Sequence, residues 1–210
     1  MVVPGFLLII IIVLFNSAYN IELYGQVGKV AKSIKPIPNT VLVVVLPFVA
    51  FIIGYLVNMV ASFCERYSYK WKILDRPSHK LLKNETMFTK EQRQKLISLI
   101  GHKDEYNICR EQAGLIFKKV KEICKRSHDV DEFYYQSVMA RNILGAYGIG
   151  IFYGVIMMFR KNLVFSDYSW LWLLSLVLLF CLFKQWVRNN KTYARRLLSE
   201  YLSSGNNGNR

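Results

Sequence analysis

The sequence predicts an all-α, multi-pass membrane protein with four transmembrane helices and a cytoplasmic helical segment. Hydrophobic residues make up 53% of the 210-residue chain, and the mean hydropathy is +0.21, which is more apolar than a typical soluble domain. These residues are concentrated in four runs, and about 20 apolar residues are enough to cross a bilayer core as one helix. The chain also has 28 basic against 14 acidic residues and a formal charge of +14, which suits contact with anionic lipid head groups.

The first apolar run, about residues 2–19, predicts a membrane helix that is retained. No Lys or Arg precedes Lys29, whereas a cleaved signal peptide usually opens with a positively charged segment. Pro4 suits the first turn of a helix, where its missing N–H breaks no hydrogen bond. If the run were cleaved, three spans would remain and one terminus would change sides. The polar stretch with Lys29, Lys32 and Lys35 then connects the first two spans.

The second run, about residues 40–63, is the clearest span and completes a first hairpin over residues 1–63. It contains no charged residue, and Pro47 inside it should kink or loosen the helix. Small and polar residues recur in this run at steps of four, which predicts a helix-packing face. They are Ala50, Gly54, Asn58 and Ser62. Because an amide in hydrocarbon needs a partner, Asn58 should hydrogen-bond across helices or to water.

Residues 64–139 predict the cytoplasmic helical segment, with 16 basic and 11 acidic side chains. Thr89 with Gln92 matches a capping box at the start of one helix. A second helix is expected between residues 108 and 125, and Asp131 is expected to cap a third that runs into the next span. The apolar residues at helical spacing in the second helix are Ile108, Leu115, Ile116, Val120 and Ile123.

The third and fourth runs, about residues 142–159 and 166–186, predict a second hairpin within residues 140–187. In the third run, small residues recur every four positions and so share one helix face for packing or oligomerisation. They are Ala146, Gly150 and Gly154. Tryptophans near both ends of the fourth run are typical of an interfacial aromatic belt. They are Trp170, Trp172 and Trp186.

The last segment, residues 188–210, predicts a basic amphipathic tail that lies on an anionic leaflet. Its basic residues mix with apolar ones such as Leu197 and Leu198. The residues expected to contact lipid head groups are Arg188, Lys191, Arg195 and Arg196.

Charge predicts the orientation of the four spans. With four spans, the amino terminus, residues 64–139 and the carboxyl-terminal tail lie on one side. That side has 16 basic residues in residues 64–139 and six more from Lys184 onward. The connection between the first two spans, on the opposite side, has three lysines. Because Lys and Arg are in excess on the cytoplasmic flanks of spans, this side is predicted to be cytoplasmic.

The residue pattern predicts no catalytic, cofactor or metal site. A folded helix pair could gather His102, Cys109, Cys124 and His128, but zinc ligands usually occur in closer pairs such as C-x-x-C. Apart from Asp167, which is expected in the entry loop of the fourth span, none of the predicted spans contains Asp, Glu or His, which argues against a proton-coupled transporter or an intramembrane protease. The chain also lacks a nucleophile elbow and a paired-carboxylate motif. We therefore expect a protein that is not an enzyme and has no small-molecule substrate.

Four stretches in the spans and the tail resemble a known class of protein. They are the Pro4-Gly5 start, IGYLVNMVASF ending at Phe63, ARNILGAYGIG from Ala140 and KTYARRLLSEYL from Lys191. In these stretches the chain is similar to small membrane effectors of bacterial anti-phage systems, in particular to the transmembrane partner encoded with certain retrons. Residues 64–139 lie outside the resemblance.

The resemblance implies a toxin of an abortive-infection system in the bacterial inner membrane. A complex of reverse transcriptase and its RNA-linked DNA would keep the toxin silent until infection, and the released toxin would damage the membrane. The small-residue faces at Gly54, Asn58, Gly150 and Gly154 would then mediate self-association, and residues 64–139 would receive the inhibitor.

Two other functions fit the same chain. One is a non-toxic membrane anchor or scaffold that recruits a cytoplasmic partner, and the other is a holin-like channel. Anchors use the same small-residue packing, and oligomeric pores need no charged lining. The residues alone therefore leave these alternatives open.

Overall fold

The computed structural model describes residues 2–19, 39–71, 74–83, 87–101, 108–124, 128–163 and 165–204. Every regular element in these ranges is helical, which confirms the predicted all-α class. In chain order, the helices are α1 (Val2–Ala18), α2 (Asn39–Lys70), α3 (Pro77–Lys83), α4 (Lys90–Ser98), α5 (Arg110–Ile123), α6 (His128–Arg160) and α7 (Ser169–Ser204). A 3₁₀ turn, Phe165–Tyr168, precedes α7. The lysines of the predicted first connection, Lys29, Lys32 and Lys35, lie outside the described residues.

Three helices are long and apolar enough to cross a membrane: Val44–Lys70 in α2, Val130–Arg160 in α6 and Ser169–Ser204 in α7. At 1.5 Å per residue these stretches are each longer than the hydrocarbon core of about 30 Å. Only 22%, 22% and 17% of their most apolar 18-residue windows are buried within the protein. Large apolar side chains therefore cover the outside of these helices, as expected where lipid is the solvent. Helix α1 is apolar but shorter, at 17 residues.

The chain divides into two compact units. Unit 1 comprises Met1–Cys64 and Met139–Lys184. In one of its two clusters, Leu8 of α1, Val57 of α2 and Ala146 of α6 meet in the interior. In the other, Ile11 and Phe15 of α1 pack with Trp172 of α7, and the rings of Phe15 and Trp172 are 5.6 Å apart. Helix α1 thus contributes to both clusters of unit 1.

Unit 2 comprises Glu65–Val138 and Gln185–Arg210. Five helices and Phe88, which precedes α4, supply its buried apolar residues, so this hydrophilic part of the chain has a core of its own. Those residues are Leu81, Leu82, Phe88, Leu96, Ile97, Ala113, Ile116, Val120, Val130, Tyr193, Ala194, Leu197, Leu198 and Leu202.

The local signals in residues 64–139 are only partly reproduced. The capping box of α4 is confirmed, because the Thr89 side chain accepts from the backbone N–H of Gln92 and the Gln92 side chain accepts from the N–H of Thr89. Asp131 is not an N-cap, because α6 already begins at His128. Near that end a carboxylate is still favoured by the helix dipole.

Helix α5 buries one narrow stripe. Ile116 and Val120 are buried as the periodicity predicts, together with Ala113, which continues the stripe. Leu115 and Ile123 are 53% and 59% exposed, so their predicted place on the apolar side is wrong. Leu115 lies about 100° around the helix from Ile116, and Ile123 is the last residue of α5.

Helix α7 joins the predicted fourth span and the predicted tail into one element, Ser169–Ser204. The stretch contains neither Gly nor Pro, so nothing in its backbone interrupts the helix. Leu197 and Leu198 are 1% and 0% exposed within unit 2. The apolar side of the tail is therefore packed against protein, and it does not offer the free apolar face that an amphipathic helix would lay on a leaflet.

Candidate membrane helix interface

Of the described glycines in unit 1, Gly5 of α1 leaves the least room for a side chain. A Cβ atom placed on Gly5 would collide with the carbonyl oxygen of Ala50, and it would lie 2.7 Å from the carbonyl carbon of that residue and 2.9 Å from the Gly54 nitrogen. All three are backbone atoms of α2 and cannot rotate away. Contact of this kind between backbones requires small residues on both helices.

The buried side of α2 follows the spacing 50, 54, 57, 61, with Ala50, Gly54, Val57 and Ala61 all buried. Asn58 and Ser62 are half-buried at the edge of this face. A strict step of four advances about 400° and so drifts about 40° around the helix at each step, whereas alternating steps of four and three hold one face. The predicted packing face is thus present at Gly54 and turns away from the interior by Ser62.

Helix α6 meets α2 through Gly145, which the predicted face of Ala146, Gly150 and Gly154 does not include. A Cβ on Gly145 would lie 2.8 Å from the Cβ of Ala61 and 3.7 Å from Cγ1 of Val57. Its neighbour Ala146, predicted as part of the small-residue face, is 0% exposed and packs with Val57.

The other two predicted small residues of α6 face α1. A Cβ on Gly150 would lie 3.1 Å from the Cβ of Ile11, and one on Gly154 would lie 2.7, 2.8 and 2.9 Å from three ring atoms of Phe15. Gly148 on the same helix has nothing within 4 Å of the equivalent point. The face predicted for helix packing is therefore filled by helix α1 of the same chain, and its predicted role in self-association stays a prediction.

Asn58 has the interhelical partner that its place in a span demands. The Arg141 guanidinium on α6 donates to Asn58 Oδ1 on α2 at 2.7 Å. The same side chain also donates to Asn142 Oδ1 at 3.4 Å, and Asn142 is buried. Hydrogen bonds from a charged donor are stronger than those between neutral groups. Arg141 thus ties α6 to α2.

A second polar contact joins α1 to α6. The Tyr153 hydroxyl donates to Asn16 Oδ1 at 2.7 Å, and Asn16 is only 4% exposed. Among the described residues, Asn16 Nδ2 has no hydrogen-bond partner. Because a buried amide is costly in an apolar environment, the bond to Tyr153 favours keeping the end of α1 against α6.

The four basic residues predicted to contact lipid head groups all lie on α7 within unit 2 and are exposed: Arg188, Lys191, Arg195 and Arg196. The guanidinium of Arg196 lies 5.3 Å from the ring centroid of Phe133, a distance at which a cation and an aromatic face attract each other. The basic face is thus open to solvent or head groups while the opposite side of the helix packs in the core.

The structure describes only two of the four side chains considered as zinc ligands. His102 and the side chain of His128 lie outside the described residues. Cys109 is exposed, and Cys124 is half-buried beside the core of unit 2. Burial, and to a smaller degree the charge of Glu200, raises the pKa of the Cys124 thiol, which disfavours the thiolate that a metal would need.

Comparison with known proteins adds no relative to this description. No protein-family model, no curated protein and no solved structure matches the chain.

Proposed function

We propose that the protein is a membrane effector, a toxin of an antiviral abortive-infection system, that disrupts the bacterial inner membrane once a partner complex releases it. The observation that carries the membrane part of this proposal is the set of three long apolar helices whose outer surfaces are unburied. Such surfaces are stable against lipid or against further copies of the same helices. The toxin part rests on the resemblance of the spans and the tail to retron-associated effectors.

In this proposal α1 is a fourth span. Its 17 residues extend about 26 Å, close to the thickness of the hydrocarbon core. The contacts of Gly5, Ile11 and Phe15 with α2 and α6 give it protein partners along its length. With four spans, residues 64–139 and the carboxyl-terminal tail are cytoplasmic, in line with their basic residues.

The partner complex proposed to restrain the toxin is a reverse transcriptase with its RNA-linked DNA, acting on residues 64–139. Unit 2, which includes these residues, supports this assignment because it is a compact helical body with a core of its own. The same observation also favours the second candidate, a non-toxic anchor that recruits a cytoplasmic partner, because either function needs a folded module outside the bilayer.

The experiment that separates these functions is induction of the protein alone in a bacterium, with a voltage-sensitive dye and plating for survivors. Rapid depolarisation with loss of viability is the expected result. Cells that keep their potential and grow, although the protein is inserted in the membrane, would overturn the toxin proposal in favour of the anchor.

A variant pair tests whether helix packing within unit 1 underlies the toxicity. Gly154→Ile would drive a branched side chain into the ring of Phe15, whereas Gly148→Ile meets nothing within 4 Å. We expect the Gly154 variant to lose its toxicity and the Gly148 variant to keep it at equal membrane levels. Equal killing by both variants would contradict the role of this packing.

A further inference from the structure

Unit 2 contains a cavity of about 560 Å³ lined by α3, the end of α2 and the part of α7 around residues 186–191. This volume is within the range of small-molecule sites in proteins. Three lysines are among its lining residues, Lys80, Lys83 and Lys191, and all three are exposed. None of the three forms an ion pair among the described residues.

Among the described residues of the lining there is one carboxylate, and it does not offset this charge. Asp75 is bound by the guanidinium of Arg110, which forms both a hydrogen bond and an ion pair with it. The cavity is therefore positively charged, and a phosphate group is the kind of ligand that several ammonium groups recognise.

The rest of the described lining is mixed: Tyr69, His79 and Asn190 are polar, and the remaining side chains are apolar. Among the apolar lining residues, Leu74 and Val187 retain exposed area, whereas Leu81 and Trp186 are 1% and 4% exposed. A free phosphate has nothing to gain from such a surface, whereas a phosphate attached to acyl chains does. The combination of ammonium groups and apolar side chains in one cavity matches an amphiphile.

The position of the cavity along α7 supports the same class of ligand. The uninterrupted apolar stretch of α7 ends at Phe183, just before Lys184. Trp186 and Asn190 lie three and seven residues further, about 5 to 11 Å along the helix axis. The head-group layer begins at the end of the hydrocarbon core and is about 5 to 8 Å thick on each side, so the cavity opens at its level if α7 spans a bilayer.

We infer that this cavity is a binding site for the phosphate of an anionic phospholipid, held by Lys80, Lys83 and Lys191 with the glycerol end of its acyl chains against Leu74 and Val187. Basic pockets beside membrane helices on the cytoplasmic side are known to take such head groups. Lys191 belongs both to the exposed basic face of α7 and to the cavity lining, whereas Arg188, Arg195 and Arg196 do not line the cavity. The inference rests on the proposed insertion of α7 and not on toxicity.

The test is a titration of the full-length protein, purified in a neutral detergent, with short-chain phosphatidylglycerol, followed by native mass spectrometry. We expect one saturable lipid per chain. K80Q/K83Q should weaken its dissociation constant about 30-fold, which corresponds to about 2 kcal/mol for two lysines. K80R/K83R should bind like the wild type, because it retains both charges. The matched control, R188Q/R195Q, loses the same charge from α7 positions that do not line the cavity and should change affinity by less than about threefold, well below one tenfold step.

Three results would overturn the inference. Equal losses in K80Q/K83Q and R188Q/R195Q would show that general surface charge attracts the lipid. Glycerol 3-phosphate that binds as tightly as the lipid would make the site one for a soluble phosphate compound. Short-chain phosphatidylcholine that binds equally well would remove the anionic requirement. Alkaline extraction of membranes from cells that express the protein tests insertion separately. Release of the protein from the membranes would contradict the proposed function. A protein that stays inserted but binds no lipid would contradict only the proposed lipid site.

Discussion

The contact at Gly5 is the most sensitive point of the helix interface, and Gly5→Ala is the substitution that tests it. The added methyl group would overlap the carbonyl of Ala50 and approach the Gly54 nitrogen to 2.9 Å. Ordinary carbon contacts lie at about 3.5–4.0 Å. Because the opposing atoms belong to the α2 backbone, α1 has to move away as a whole to relieve the overlap.

The magnitude follows from two opposing effects. Overpacking of this kind costs about 1–3 kcal/mol and occasionally more, and we expect the upper end here because no side chain can rotate to make room. Replacing a helical glycine by alanine gains about 1 kcal/mol in helix propensity. The net loss of stability for Gly5→Ala should be about 2 kcal/mol, and that for Gly148→Ala should be zero or a gain of up to about 1 kcal/mol, since its new methyl group meets nothing.

The assay is reversible unfolding in mixed detergent micelles, followed by far-ultraviolet circular dichroism, with Gly148→Ala as the matched control. Subtracting the stability change of Gly148→Ala from that of Gly5→Ala removes the contribution of helix propensity. The difference is the cost of the steric clash, about 3 kcal/mol. Equal stability of the two variants would show that α1 does not pack on α2 in this way, and the assignment of α1 as a packed span would fail with it.

Three further substitutions or measurements test other parts of the structure. Asn58→Leu removes the acceptor of the Arg141 guanidinium and should cost about 1.5–3 kcal/mol in the same unfolding assay; an unchanged stability would contradict the contact. At pH 8, Cys124 should react with a maleimide more slowly than the exposed Cys109, because burial raises the pKa of its thiol and lowers the thiolate fraction; equal rates in single-cysteine variants would contradict the burial. Leu198→Ala, at a 0% exposed position of the unit 2 core, should cost about 2–5 kcal/mol, and a loss below about 1 kcal/mol would mean that the tail of α7 does not pack there.

The helical class and the three long apolar helices could be predicted because the signals are local. Runs without charge and a capping box at Thr89 act within a few residues of the chain. The hydrogen bond needed by Asn58 could also be anticipated, because a buried amide demands a partner wherever it lies.

The partners of these residues could not be predicted, because they depend on which helices meet and at what height. Nothing near Gly5 in the sequence indicates that it crosses α2 at Ala50. The register error on α2 has a physical cause: a fixed step of four gradually leaves the buried face, and the spacing 50, 54, 57, 61 would have pointed to Ala61 instead of Ser62.

The tail of α7 shows the limit of amphipathicity as a signal. Leu197 and Leu198 beside basic residues fit a helix on a membrane surface and fit equally a helix packed on a protein core. In the structure this helix packs on a protein core, because α3, α4 and α5 supply buried apolar residues to the same core. The cavity between Lys80 and Lys191 is likewise formed by residues more than a hundred positions apart, so no local motif marks it.

The most direct test of the membrane architecture is the accessibility of Cys109 to a membrane-impermeant maleimide in a variant that keeps only this cysteine. Cys109 is exposed in unit 2, and a cysteine introduced at Ser33, between α1 and α2 in the sequence, serves as the reporter for the opposite side. The proposed four-span topology predicts that Cys109 is labelled in inverted inner-membrane vesicles and protected in intact spheroplasts, and that the Ser33 reporter gives the reverse pattern. Labelling of Cys109 in intact spheroplasts, or of both positions from the same side, would contradict the four-span cytoplasmic arrangement.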